Sequence, residues 1–273
     1  MPNLRIVSDN AIARAASLVA SSTAGGLVAA NLASEKKSSV HRATGTSVTY
    51  TLTWAAAESF GCVALPFCNL SPTATLRVRA YASNGTTVLY DSGVGLACPA
   101  PAQRPRGFTA AQAASAYAYG GGACARRWFN QVNAFKLVID IVDTSNLQGY
   151  VEAACMVAGA VWSPQYNASG TSVSVIDRTE ISRSAAGDQL ADPGTISRKV
   201  PVDLRKMSPA DRAKFLDLVR NSRAYAVLLS VFPEHSDLLL ERDHMLYGRR
   251  TKDSDVAYQF SAVYSTTIDI EEI

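Results

Sequence analysis

Two histidines, His235 and His244, stand among Glu234, Asp237, Glu241 and Asp243, a local mixture that could ligate a metal or relay protons. Neither H-x-x-x-H nor H-E-x-x-H spacing is present, so no helix holds both imidazoles on one face. The expectation is a charged turn joining two strands. Asp140 and Asp143 form a second candidate pair, because sugar hydrolysis uses two carboxyl groups roughly 5 to 10 Å apart across a cleft. Their strand would have to bend to do this. The expected arrangement has Asp140 facing solvent and Asp143 opening a turn. No G-x-S-x-G elbow presents a serine nucleophile. Gly25-Gly26 and Gly120 to Gly122 lack the lysine and following Ser/Thr of a phosphate loop. Five cysteines (Cys62, Cys68, Cys98, Cys124, Cys155) include no close C-x-x-C pair, which leaves zinc without support. Cys98 and Cys124 flank an irregular segment and could lie near each other, though small buried thiols are the simpler expectation. No catalytic residue, no metal and no cofactor is expected, and the chain is not read as an enzyme.

Binding chemistry has more to work with. Tyr81, Tyr117, Tyr119, Arg104 and Arg106 are the candidate contact residues, since a flat ring stacks on a sugar face while guanidinium donors meet its hydroxyls. The competing expectation packs these tyrosines over the sandwich edge or against a neighbouring subunit. The 273 residues suit two domains, each able to bury a core. Apolar residues make up 48% and charged residues 18%, a neutral surface suited to burial against partners. A net charge of +3, spread along the chain in clusters as short as Arg126-Arg127 and Arg249-Arg250, does not make the basic stripe that nucleic acid requires. Ala15 to Ser34 is uncharged but diluted by Ser, Thr and Gly, too polar to span a bilayer. Asp9 and Arg14 spoil an export signal. The expectation is a protein made in the cytoplasm, with neither nucleic-acid binding nor membrane insertion.

The elements that would position these residues are mostly strands. Val48, Tyr50, Leu52 and Trp54 alternate with Thr49, Thr51 and Thr53 over Thr46–Trp54. Cys62–Phe67 is a short apolar run halted at Pro66. Leu76, Val78 and Ala80 point inward between Arg77 and Arg79, and Ser83-Asn84-Gly85 turns the chain into Thr86–Tyr90. Phe135, Leu137, Ile139 and Ile141 share one face. The stretch 125–164 reads as the closing hairpin of the sandwich, turning at Asn146 to Gly149. An insertion at about 93–125 opens with Pro99, Pro101 and Pro105, passes through a short helical turn near Thr109–Tyr119 and ends in Gly120-Gly121-Gly122; a contact surface and a mobile loop are both open for it. Beyond Trp162, Gln165–Pro193 is polar strand and loop. Arg198–Leu204 alternates, and Ser208-Pro209-Ala210-Asp211 starts a helix over 208–221 with Leu216, Val219 and Ala213 as its apolar face, flanked by Phe215 and Leu218. Tyr225–Phe232 reads as a buried strand, and Glu241–Arg250 and Tyr258–Ile270 as further strands. The fold class expected is mainly β: a jelly-roll β-sandwich over 1–162, followed over 163–273 by a second β-rich domain with one short helix.

Asp143, Asn146, Gly149, Tyr150 and Glu152 form a D-x-x-N-x-x-G-Y-x-E run, and Gly159, Trp162 and Pro164 a G-x-x-W-x-P exit. Together these resemble the last strands of the discoidin-like (galactose-binding-like) jelly roll of a group of long-tailed bacteriophage tail and baseplate proteins. The strand Val200–Leu204, the helix Ser208–Asn221, the strand Ala226–Pro233, Leu246-Tyr247-Gly248 and Phe260–Glu272 resemble, in order, the C-terminal module of the same proteins. The insertion departs from the pattern. The resemblance implies a virion structural protein of the distal tail or baseplate, assembled in the bacterial cytoplasm. It implies a cyclic homo-oligomer, for instance a hexamer, linking the tail tube to the baseplate hub and fibre proteins. It also implies an alternative, a lectin-like module meeting a host-surface glycan.

Overall fold

Alternation builds the first module. Val48, Tyr50, Leu52 and Trp54 are buried, and the threonines between them lie on the opposite face. The computed structural model describes residues 2–222, 225–260 and 262–273. After β1 (Arg5–Val7), the jelly roll runs through β2 (Ser17–Ala20), β3 (His41–Arg42), β4 (Ser47–Cys68), β5 (Thr75–Tyr81), β6 (Val88–Asp91), β7 (Gly95–Leu96), helix α1 (Ala110–Ala113), β8 (Ala123–Val142), β9 (Glu152–Ala153) and β10 (Val157–Gly159). The sheet order is β3-β9-β4-β8-β5-β6, with β2 and β10 also on β4 and β7 on β5.

Thr46–Trp54 and Cys62–Phe67, expected as separate strands, belong to one 22-residue strand, β4. Its register with β8 slips between Thr53 and Glu58, Phe60 and Cys62, and Leu65 and Cys68. Such bulges bend a strand around a corner of the sandwich, and Pro66 falls inside the last slip, where a missing N–H costs little. Phe135, expected to face inward, lies opposite the first slip and is half-buried, whereas Ala134, Leu137, Ile139 and Ile141 are buried. The closing hairpin is also corrected. Cys62 pairs with Trp128 of β8 and with Gly159 of β10, so these two strands flank β4 instead of pairing with each other.

The second module comprises β11 (Gly170–Thr171), β12 (Ser174–Asp177), β13 (Glu180–Arg183), β14 (Gln189–Asp192), β15 (Ile196–Met207), α2 (Pro209–Ser222), β16 (Val227–Ser230), α3 (Leu238–Asp243), β17 (Met245–Arg250), β18 (Ala257–Phe260) and β19 (Val263–Glu272). Its sheet runs β1-β16-β17-β19-β15-β11, with β12 added to β15 and β18 to β19. The strand β1 therefore sits with the second module, paired from Arg5 opposite Ser230 to Val7 opposite Leu228, and not with the 1–162 unit. Three residues are too few to display a period. The chain begins in one sheet, builds the jelly roll, and returns at Trp162, which exchanges backbone hydrogen bonds of 2.9 Å with Ile6.

Ser208 caps α2, its hydroxyl accepting from the Asp211 N–H at 3.1 Å. The buried face is Asp211, Phe215, Leu218 and Ser222, rotated from the expected one, and Ala213 is exposed. Trp162 sets the rotation, its ring centroid 6.2 Å from that of Phe215. The expected strand from Glu241 begins only at Met245, because Asp237 caps α3 by accepting from Leu239 and Leu240 N–H at 3.0 and 3.2 Å. Each module has its own apolar core. A third apolar cluster draws Cys62, Ala64, Trp128 and Val157 from the jelly roll together with Leu228, Met245 and Tyr247 from the second module, so the two are joined by a packed seam. All five cysteines are free, and four are buried. No helix among the described residues is long and apolar enough to cross a membrane.

Candidate functional site

The D-x-x-N-x-x-G-Y-x-E run folds into a hydrogen-bonded corner. Asp143, 1% exposed, accepts from the Ser71 N–H at 2.8 Å and from Asn146 Nδ2 at 3.1 Å. Asn69 Oδ1 accepts from the Glu152 N–H at 2.7 Å, and its Nδ2 donates to the Tyr150 carbonyl at 2.9 Å. Buried Glu152 takes Arg42 Nε at 2.7 Å, and the Arg42 guanidinium lies 4.2 Å over the Tyr150 ring. The buried carboxylates Asp143 and Glu152 and the amide of Asn69 all have partners within the chain, as structural polar groups do. Asp140 is occupied elsewhere, by Thr49 Oγ1 at 2.8 Å and Arg79 at 2.6 Å. The two aspartates thus serve separate networks.

His235 and His244 likewise have structural roles. His235 Nδ1 accepts from the Asp237 N–H at 2.9 Å, and both imidazoles pack edge-on against Phe232. Glu241 faces the seam and is bound by Arg126. Among the described residues no cluster of His, Cys, Asp and Glu is suited to hold a metal ion.

The insertion is ordered by contacts at several points. Gln103 and Gly122 exchange backbone hydrogen bonds of 2.9 and 3.2 Å. Thr109 and Gln112 form a capping box on α1, and the Gln148 amide donates to the Ala111 carbonyl. The Ile196 N–H donates to the Ala118 carbonyl at 2.9 Å, tying the loop to the second module. Gly122 adopts φ 95°, and a side chain there would strike the Tyr117 ring.

The five candidate residues divide accordingly. Tyr117 is 4% exposed, its hydroxyl 3.3 Å from Glu152, and burial drives its phenol well above the usual range, so it is a packing residue. Tyr81 lies at the end of β5 remote from the Thr75–Leu76 rows where β7 leads into the insertion, and Lys136 Nζ sits 5.0 Å over its ring. Tyr119, Arg104 and Arg106 are all exposed on the insertion. Sequence reasoning missed Phe108. Its ring centroid is 6.0 Å from that of Tyr119 with planes at 34°, and the two residues are 41% and 39% exposed. Its signal was an apolar residue directly before a capping box, a position that ordinarily packs onto the helix. Neither Arg104 nor Arg106 enters an ion pair among the described residues.

A concavity of about 580 Å³ lies over β15, β18 and β19 and is lined by residues that include Asp203, Arg205, Asp253, Asp255, Gln259 and Phe260. Arg205 is spent on Asp203 at 2.7 Å.

No protein-family model matches this chain, and no curated protein matches it. Solved structures do show likeness. One is the Clostridium perfringens module CpGH89CBM32-5 in complex with GalNAc-beta-1,3-galactose, at 12% identity and TM-score 0.37, covering 53% of this chain and 94% of that one. Another is chitosan-binding module 1 of a Paenibacillus chitosanase/glucanase, at 11% identity and TM-score 0.38, covering 56% and 99%. A third is the lectin domain of Lectinolysin complexed with Lewis B antigen, at 15% identity and TM-score 0.36, covering 56% and 97%. These carbohydrate-binding and lectin modules are what the chain is similar to, at TM-scores that assign it no family or role.

Proposed function

We propose that the protein is a non-catalytic binding protein whose jelly roll meets carbohydrate through the insertion, with the second module serving as its rigid mount. Two of the structures named above hold saccharides, GalNAc-beta-1,3-galactose in one and Lewis B antigen in the other. For the present chain the support is the exposed Phe108–Tyr119 pair, held on a tethered loop that also carries the exposed Arg104 and Arg106. Exposed rings at such a spacing stack on the apolar face of a pyranose, and a loop already ordered loses little entropy on binding. The test is a glycan array followed by calorimetry on the intact chain. A Phe108→Ala/Tyr119→Ala variant is expected to keep its thermal midpoint and lose binding. A wild-type chain that captures no glycan at all counts against the proposal.

A second reading, a structural protein of a bacteriophage tail, is favoured by the hairpin β13–β14. All of its strand residues are exposed, Ile181 at 64% and Leu190 at 54%. A lone two-stranded hairpin is marginal in water, so one that displays apolar residues is suited to cover by another subunit. On this reading, intact chain forms rings in negative stain and occurs in purified particles. Replacing residues 180–192 with a short Gly-Ser link leaves the fold intact and abolishes the rings. A monomer at every concentration, absent from particles, argues the other way.

A further inference from the structure

We infer that the saccharide met by the insertion carries a carboxylate, as a uronic acid does; this rests on the carbohydrate reading above and narrows it. Between Asp91 and Asp140 the chain contains no acidic residue, while Arg104, Arg106, Arg126, Arg127 and Lys136 all fall there. Three of these five cations are engaged within the molecule. Arg126 is bound by Glu241. Arg127 donates to the Ser92 carbonyl at 2.6 Å, and Lys136 covers the Tyr81 ring and donates to the Gly85 carbonyl at 3.2 Å. Arg104 and Arg106 remain, both exposed and both on the segment that displays Phe108 and Tyr119. A guanidinium fork matches a carboxylate with two parallel hydrogen bonds, a fit that a neutral hydroxyl does not offer.

A uronic acid presents both required features in a single residue. Its pyranose ring has an apolar face for an aromatic side chain, and its carboxylate projects from the same ring. Duplex nucleic acid fits less well, because two arginines do not form the stripe that phosphate tracking needs.

The experiment titrates intact protein with a uronic-acid oligosaccharide, the same oligosaccharide methyl-esterified, and a sulfated polysaccharide. The acid is expected to bind about ten-fold or more tightly than its ester, the scale of a charged hydrogen bond. Added salt weakens the acid alone. Arg104→Ala/Arg106→Ala is expected to bind acid and ester equally, and Arg104→Lys/Arg106→Lys to recover only part of the preference. Phe108→Ala/Tyr119→Ala is expected to bind neither. Equal binding of acid and ester by the wild type overturns the carboxylate inference and leaves the carbohydrate reading standing. Sulfated polymer bound as tightly as the uronate would show a general polyanion surface and overturn it as well. Binding of no saccharide overturns both.

Discussion

Arg126, in β8 of the jelly roll, donates hydrogen bonds of 2.9 and 2.8 Å to the two carboxylate oxygens of Glu241 in the second module. The Glu241 side chain is completely buried and that of Arg126 is 13% exposed. An ion pair so enclosed adds little net stability over apolar residues of similar volume, yet it penalises any arrangement that separates its members. Removing one partner leaves a charge without solvent. Glu241→Ala is therefore expected to cost about 3–5 kcal/mol in urea denaturation, whereas Arg126→Met/Glu241→Leu recovers most of that loss. A single variant within about 0.5 kcal/mol of wild type, the usual scatter of surface changes, would disprove the role of the pair.

The corner around Asp143 leads to a second expectation. Asp143→Ala strips acceptors from Ser71 and from Asn146, whose Nδ2 also donates to the Asn69 carbonyl at 3.1 Å. A loss of about 2–4 kcal/mol is expected, from one or two buried donors left unsatisfied. Glycan binding, measured below the lowered melting point, is expected to persist. Loss of binding in a fully folded variant would instead make the corner part of the ligand site.

Gly159 illustrates why the G-x-x-W-x-P exit begins with glycine. A Cβ at this position would run into the Asp9 carbonyl oxygen and the Val7 side chain, where the strand leaving the jelly roll crosses the one entering it. The backbone has no room to yield, since β10 is paired to β4 through Val157, Ala158 and Gly159. Gly159→Ala is expected to lower the thermal midpoint by several degrees or to prevent soluble expression, whereas Gly149→Ala, with open space around it, suffers only the strain of φ 75°. Equal melting of the two variants would contradict this.

His41 is the acid-sensitive point of the first core. Its ring is fully buried; Nε2 lies 3.2 Å from the Ser22 carbonyl and Nδ1 2.9 Å from the Tyr50 hydroxyl. Nε2–H donates to the carbonyl and Nδ1 accepts from the phenol, which satisfies a neutral imidazole and disfavours a charged one. Burial holds the folded-state pKa below 6.5, so the unfolded chain takes up its proton first. The contribution to stability is full above pH 6.5 and declines as pH falls below that value, by at most about 1.4 kcal/mol per pH unit. Urea midpoints for wild type are expected to fall between about pH 7 and pH 5, and His41→Gln, lacking the titrating group, to show a flatter profile. A wild-type midpoint constant over that range would refute this.

The inward residues of β4 and β5 were legible because a strand's side chains alternate with a period of two, so Val48 to Trp54 and Leu76 to Ala80 declare their faces without reference to anything distant. The turn at Asn84-Gly85 and the start of α2 at Ser208-Pro209 were legible for the same reason, being set by backbone preferences a few residues long. Of the five candidate contact residues, Arg104, Arg106 and Tyr119 are exposed, while Tyr117 and Tyr81 share the tyrosine side chain and have different surroundings.

Their difference is tertiary. Tyr117 is buried because Phe67 and Glu152 lie against it, and Tyr81 is capped because Lys136 stands opposite it on the neighbouring strand. The insertion is tied to the rest of the molecule by Gln148 and Ile196, residues far along the chain whose arrival no local pattern announces. The same holds for β1, which joins the sheet of a module completed only at Glu272, and for α2, whose buried face was chosen by Trp162. The amino-acid sequence alone determined a mainly β chain, because side-chain period and turn chemistry are local properties. Which strands became neighbours, which tyrosine remained in solvent and which arginines were left without a carboxylate were decided only when distant segments packed together.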